Sequence, residues 1–335
     1  MIRVAVVGAG AWGLNHVRVL ASAPGAELVL VVDPDPATEA RVRALAPGAR
    51  HAVDLDQALA PSIDALVIAS PAPTHAALAE RALRAGKHVL VEKPLALSLP
   101  DAIGLRDLAA AQGRVAMVGH LMLFHPVVEH LRGLVTADAL GTVHCLHATR
   151  VNLGRHRCDE NVLWSFGPHD LAVFDYLLGE QLPEAVSACG QSMLSPGIED
   201  VAFLTLTYPG GVLAHVHLSW LHPRKERRLT VVGSRKMAEF DDVAVEKLRI
   251  YDKGYDSPPA FTQFAQYLTL RDGEVLIPNI PMSEPLEAEL RHFLGCIRDG
   301  SGPRADLGSA VRVTRVLAAA QQSMAAGGSP VAPQR

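Results

Sequence analysis

Residues 88–98, HVLVEKPLALS, end a short apolar strand on a carboxylate, an ammonium and a proline in direct succession. Glu92 and Lys93 are thereby presented at a strand end, where open α/β sheets keep their chemistry, and Pro94 stops the strand. A second constellation opens the chain. VAVVGAGAWG carries Gly8, Gly10 and Gly13 in GxGxxG spacing, after one strand and at the start of a helix. Gly8 permits the tight turn, Gly10 lets backbone approach a pyrophosphate, and Gly13 lets the helix pack on the sheet, with the helix N-terminus facing the phosphate charge. Further on, LVLVVDPDP ends a second strand in Asp33. A carboxylate there accepts from both hydroxyls of an adenosine ribose and repels a 2′-phosphate, and Pro34, Asp35 and Pro36 supply no arginine to welcome one. The spacing points to NAD rather than NADP, with Ala11 and Trp12 of the turn beside it. Read alone, Asp33 would cap a helix in a nucleotide-free fold.

The elements that must position these groups alternate. Strands are predicted at 2–7, 28–32, 64–69, 87–91 and 115–118, and helices at about 11–22, 36–46, 74–85 and 98–112. Strand–helix alternation with short loops predicts a parallel, doubly wound sheet. Beyond GHLMLFHP the rhythm changes. Segments 142–152, 185–193, 201–208, 212–221, 227–233, 245–251 and 267–277 read as longer strands, with YPGG and RDGE as hairpin turns. One helix is expected at 169–178 and two more at about 285–298 and 307–325. The fold class is therefore α/β: a Rossmann domain over 1–120, then an α+β domain over 121–335 with a large, mostly antiparallel open sheet. Such a sheet, covered by helices on one face, suits a homo-oligomer, dimer or tetramer. The tail AAGGSPVAPQR is expected to fray.

Composition narrows the classes. At 335 residues, two domains are expected. Hydrophobic residues make up 49% and charged ones 20%, as in a folded soluble protein. A formal charge of -4 leaves no electrostatic footprint for nucleic acid. No apolar run approaches the roughly 18 residues of a membrane span, and MIRVAVVGAG enters a glycine motif rather than a cleavage site. Cys145, Cys158, Cys189 and Cys296 lack CxxC spacing, which argues against disulfide frameworks and zinc ribbons. A cytoplasmic setting is expected. His215 and His217 share a strand face at ligand spacing, but no carboxylate or cysteine partner is evident, so no metal is expected.

The glycine turn, ASPAPTHAALAERALRAGKHVLVEKPLALS (69–98) and LWSFGPHDLAVFDYLLG (163–179) together resemble the Gfo/Idh/MocA oxidoreductases over nearly the whole chain. NLGRHRCDENVLWSFGPHD and SWLHPRKERRLTVVGSRKMAEFDD resemble the family's sugar-nucleotide 3-dehydrogenases in particular. The resemblance implies that Glu92, Lys93 and Pro94 sit beside the nicotinamide ribose, with Lys93 reaching the substrate hydroxyl across a motif whose Lys–Pro peptide is often cis. Ser70, Pro71, Thr74 and His75 would line the nicotinamide end. His169, at the N-terminus of its helix, would face Lys93. The family often has an acidic residue four positions before that histidine; here it is Ser165, which leaves a Lys–His pair.

Alcohol oxidation needs a proton acceptor as the hydride leaves, and a neutral imidazole suits that task. An ammonium stabilises the developing alkoxide. His169 is thus assigned as general base, kept neutral by a helix N-terminus, and Lys93 as stabiliser; the reverse stays open, because buried lysines titrate near neutrality. Read singly, Lys93 is a solvated strand-end lysine and His169 a helix cap. His120 stands at a strand end as a substrate or cofactor contact or a packing residue. Asn152, Trp164 and Ser165 join the substrate side. Arg155 and Arg157 offer forks for a diphosphate or carboxylate, while HPRKERR (222–228) reads as a solvated loop between two strands. The expected activity is NAD-dependent oxidation of a sugar or sugar-nucleotide alcohol, at C3 of UDP-GlcNAc or UDP-GlcNAcA. The alternatives are an aminoglycoside sugar, an inositol, and a non-catalytic NAD-binding regulator.

Overall fold

The computed structural model describes residues 1–154, 160–256 and 269–334. They form two compact units, Met1–His125 with Ser283–Arg315, and Pro126–Met282 with Val316–Arg335.

In the first unit, six parallel strands build one sheet: β1 (Ile2–Val7), β2 (Ala26–Val32), β3 (Arg50–Ala52), β4 (Ala65–Ile68), β5 (His88–Val91) and β6 (Ala116–Val118). Their order, β3-β2-β1-β4-β5-β6, reverses between β1 and β4, so the strand ends that carry the glycine turn and Ser70 open a crevice there. The strands are apolar on both faces, and Val67, Ile68, Leu90 and Val91 are fully buried, as crossover helices require. Those helices are α1 (Gly13–Leu20), α2 (Glu39–Leu45), α3 (His75–Arg84) and α4 (Leu99–Ala111). Ser98 caps α4, its hydroxyl accepting from the Asp101 amide at 3.2 Å. The expected strands are present; β3, only three residues long, was not foreseen.

The second unit begins with α5 (Pro126–Thr136), also unforeseen, and continues through β7 (Val143–Leu153), α6 (Val162–Leu178), β8 (Ala185–Gln191), β9 (Val201–Thr207), β10 (Leu213–Ser219), β11 (Leu221–Gly233), β12 (Met237–Asp241), β13 (Leu248–Asp256) and β14 (Thr269–Leu276). The eight strands run in the order β14-β13-β12-β11-β7-β10-β9-β8, antiparallel throughout except for the central β7–β10 pair. Alternation sets the faces. Ala202, Leu204 and Leu206 of β9 and Ala214, Val216 and Leu218 of β10 are fully buried beneath α6, while Phe203, Leu213, His215 and His217 turn to the other face.

Several expectations are corrected here. The basic run 222–228 is no loop: it belongs to β11, where Arg227 pairs with Arg150 and Arg228 with Thr149, and only a register shift between Leu221 and Glu226 marks it. Backbone pairing across the sheet outweighs the local charge. The tail is tied rather than frayed, since Val331 and Val186 exchange backbone hydrogen bonds of 2.8 and 2.9 Å. The chain's two closing helices are α7 (Pro285–Asp299), which belongs to the first unit, and α8 (Leu307–Ala325). Residues 283–315 thus rejoin the dinucleotide-side unit instead of extending the 121–335 domain, because their apolar face packs on α1 and on the Leu121–Phe124 turn.

Candidate active site

The glycine turn is fixed by contact. Gly8 has φ +98°, and a Cβ there would lie 2.7 Å from the Ala69 carbonyl; a Cβ on Gly13 would lie 2.0 Å from the Gly8 oxygen. Helix α1 can therefore approach β1 only without side chains. At Gly10 a Cβ would meet nothing within 4 Å, so the turn's backbone faces open space. That space is a cavity of about 570 Å³ lined by Gly8, Gly10, Ala11, Trp12, Asp33, Ser70, Pro71 and Thr74, with Val53 and Leu55 as apolar wall. Asp33 lines it, its Oδ2 accepting from the Ala9 amide at 2.6 Å and its Oδ1 from the Asp35 amide at 2.9 Å. A carboxylate so oriented keeps lone pairs for ribose hydroxyls, and the residues fit a dinucleotide.

Ser70 and Thr74 join hydroxyls at 2.7 Å on the cavity's far wall. His75, expected to line it, is instead turned into the protein. It is 1% exposed, with one ring nitrogen 2.7 Å from the Pro94 carbonyl and the other 2.8 Å from the Ser70 carbonyl. His75 thereby ties the loop after β4 to the turn after β5, where the Lys93–Pro94 peptide is cis.

Glu92 is buried, and its Oε1 accepts from Trp12 Nε1 at 2.5 Å and from His16 Nε2 at 2.8 Å. A Cβ on Gly119 would meet its Oε2 at 2.9 Å. Burial pushes the Glu92 carboxyl up, but the hydrogen bond and charge of His16, the indole N–H and Lys93 outweigh it and bring it below the usual range. Trp12 thus links the cofactor turn to the EKP motif. His120, 2% exposed, lies in the same field: burial and the Lys93 charge, opposed by Glu92, leave its imidazole pushed down to about 4 and hence neutral. Both of its ring nitrogens are buried without a hydrogen-bond partner.

In the second unit, α6 begins at Asn161, whose side chain accepts from the Trp164 amide at 3.1 Å and donates to Glu199 and Gln321 at 2.5 and 2.9 Å. His169 consequently sits in the middle of a 17-residue helix, not at its N-terminus. The expectation that a helix end keeps His169 neutral is withdrawn, since the dipole acts only within the first turn. The helix expected over 169–178 starts earlier, at Val162, and runs through Gly167 and Pro168. The structure buries both within α6, with Gly167 packed close under Leu163, Leu218 and Leu317.

Beside His169, Asp170 takes a bidentate pair from Arg150 of β7, Nε–Oδ2 at 2.8 Å and Nη2–Oδ1 at 2.9 Å, with both side chains nearly buried. Neither residue was singled out from sequence, although Arg150 falls at an inward position after Leu146 and Ala148, an arginine where β7 should be apolar. Asn152, two residues along β7, has a buried and unpartnered Oδ1; Ser165 is buried and Trp164 partly so. Arg155 and Arg157 lie outside the described residues. Among the described residues no group of three or more His, Cys, Asp or Glu could hold a metal, and no helix is long and apolar enough to cross a membrane.

Comparison with known proteins agrees with this geometry. Residues 2–120 match the Gfo/Idh/MocA oxidoreductase family with its NAD-binding Rossmann fold, and residues 128–239 match the Gfo/Idh/MocA C-terminal domain. A UDP-N-acetylglucosamine 3-dehydrogenase of Acidithiobacillus ferrooxidans is 30% identical over 96% of each chain. An inositol 2-dehydrogenase of Saccharopolyspora erythraea is 30% identical over 65% of this chain and 66% of its own. Among solved structures, GenD2 from gentamicin A biosynthesis in complex with NAD superposes with a TM-score of 0.83 at 25% identity, covering 100% of this chain and 97% of that one. The match over residues 2–120 is to an NAD-binding Rossmann fold and the likeness to the 3-dehydrogenase runs the length of both chains, so the chain belongs to the Gfo/Idh/MocA family of NAD-dependent oxidoreductases.

Proposed function

We propose that the protein oxidises a secondary alcohol of a sugar nucleotide, the C3 hydroxyl of UDP-GlcNAc or UDP-GlcNAcA, to a 3-keto sugar. The observation that carries this reading is the 30% identity to a UDP-N-acetylglucosamine 3-dehydrogenase, sustained over 96% of both chains. Gly8, Gly10, Gly13 and Asp33 hold NAD, which when bound supplies the hydride acceptor. His169 takes the hydroxyl proton as the C–H bond breaks, and Lys93 stabilises the alkoxide as it forms. Glu92, fixed by Trp12 and His16, anchors the backbone that carries Lys93. His120, neutral and with both nitrogens unpartnered, offers one donor and one acceptor to the bound molecules. Asn152 contributes a sugar contact, and Arg155 and Arg157 recognise the diphosphate or a carboxylate. A second reading, an aminosugar of an aminoglycoside, is favoured by the full-length likeness to GenD2.

Stoichiometric protein and NAD, mixed in turn with UDP-GlcNAc, UDP-GlcNAcA, an aminoglycoside and myo-inositol, should give bound NADH fluorescence with a UDP-sugar alone. His169→Asn and Lys93→Met should abolish it while NAD still binds. A signal from the aminoglycoside instead would transfer the reading to that substrate.

A further inference from the structure

Helix α7 buries one stripe, Leu286, Glu289, Leu290, Phe293 and Leu294, and a glutamate stands in it among apolar residues. Glu289 is 0% exposed, and both of its carboxyl oxygens are buried without a hydrogen-bond partner. An ionised carboxylate cannot be kept in that setting, since burial without donors costs far more than taking up a proton. Helix α7 packs on α1, whose His16 holds Glu92, a carboxylate already supplied with donors by Trp12 and His16.

We propose that Glu289 is a buried neutral acid standing behind Glu92, and that the two carboxyl groups, carrying one negative charge between them, set the charge against which Lys93 works. Burial first, and then repulsion from Glu92, push the Glu289 carboxyl well above the usual range, in the direction the geometry demands. Among the described residues no hydrogen bond reaches the Glu289 carboxyl. From α1 come His16, given to Glu92, and Arg18, paired with Glu284. The 120–125 segment contributes neutral His120, together with His125. On α7 itself, Glu287 and Arg291 pair with one another, and His292 accepts from the Arg304 amide at 2.8 Å. Glu289 is a positioning residue: it acts on the reaction through Glu92 and Lys93. While it is neutral, Glu92 alone carries the pair's negative charge toward His16 and Lys93. Once it ionises, the added negative charge opposes the alkoxide that Lys93 stabilises, and oxidation slows.

The kinetic consequence rests on the role proposed for Lys93, but the charge state does not, so it is measured first, in cofactor-free protein. The infrared difference between wild type and Glu289→Gln should contain the carbonyl stretch of one protonated carboxyl at neutral pH. Glu92→Gln should lower the pH at which that band disappears. In turnover, E289Q, which copies a neutral acid, should keep kcat/KM within about threefold of wild type at neutral pH and lose an alkaline decline of about tenfold that wild type shows. No protonated band at neutral pH, or a band indifferent to E92Q, overturns the proposal. So does a folded E289Q that retains the alkaline decline. A band that behaves as expected in a protein inert toward every sugar tested upholds the carboxyl pair and removes the substrate assignment instead.

Discussion

Replacing one member of the Arg150–Asp170 pair should destabilise the second unit far more than replacing both. The pair is bidentate at 2.8 and 2.9 Å, with side-chain exposures of 9% and 8%. Two charges about 4 Å apart attract by about 4 kcal/mol at an effective dielectric of about 20, and desolvation offsets most of that in the intact pair. Arg150→Met alone leaves Asp170 buried without its bidentate partner, and Asp170→Leu alone leaves Arg150 buried with only the charge of Asp242 to answer it. Each single change should therefore cost about 3–5 kcal/mol, roughly a 150- to 5,000-fold shift in the unfolding equilibrium. The double variant keeps the volume apolar and should fall within about 1–2 kcal/mol of the parent. Urea denaturation followed by tryptophan fluorescence reads this in the right unit. The chain has three tryptophans, and a Trp12→Phe background leaves Trp164 and Trp220, both in the second unit. Single variants that cost less than about 1 kcal/mol, or a double variant as unstable as the sum of the singles, would refute the reasoning.

Two further outcomes are expected. Asp33→Asn keeps an acceptor for the Ala9 amide but removes the charge, so calorimetry should find NAD binding weakened about tenfold and discrimination against NADP reduced by at least as much. His120 supplies the pH dependence. Its folded value is depressed from 6.5 to about 4, so between those limits the unfolded chain binds more protons and stability falls as the medium is acidified. The neutral ring's contribution, on the order of 3 kcal/mol, is fully present above about 6.5 and gone by about 4. Denaturation midpoints across that window should flatten in His120→Asn.

The first unit was nearly readable from its sequence, because parallel strands buried on both faces are written as unbroken apolar runs and glycine spacing has few other uses. Its omission, β3, is Arg-His-Ala, too short and polar to carry a period. In the second unit local chemistry misled. The helix expected over 169–178 begins too late, since Asn161 starts α6 seven residues before Pro168, and tight packing at Gly167 holds the helix together. The run from His222 to Arg228 reads as a loop because its charge hides the ladder that β7 imposes on it. Arg150 and Glu289 stood in plain sight as charges at inward positions of apolar patterns. Such misfits are a sequence's clearest trace of buried polar chemistry.

Strand β6 completes its pairing late. Its outer side is met by residues near the far end of the chain: the Val118 amide donates to the Ala305 carbonyl at 2.9 Å, Met117 bridges Asp306, and Arg304 reaches the Leu123 carbonyl at 2.8 Å. A ribosome delivers Met1–His125 long before it delivers those residues. The nascent chain must therefore carry an open strand edge, and an α1 not yet covered by α7, throughout synthesis of the whole antiparallel sheet. A fragment cut after His125 reproduces that condition permanently. The nucleotide-binding half is thus no detachable module, since residues 283–315 decide whether residues 1–125 can finish folding.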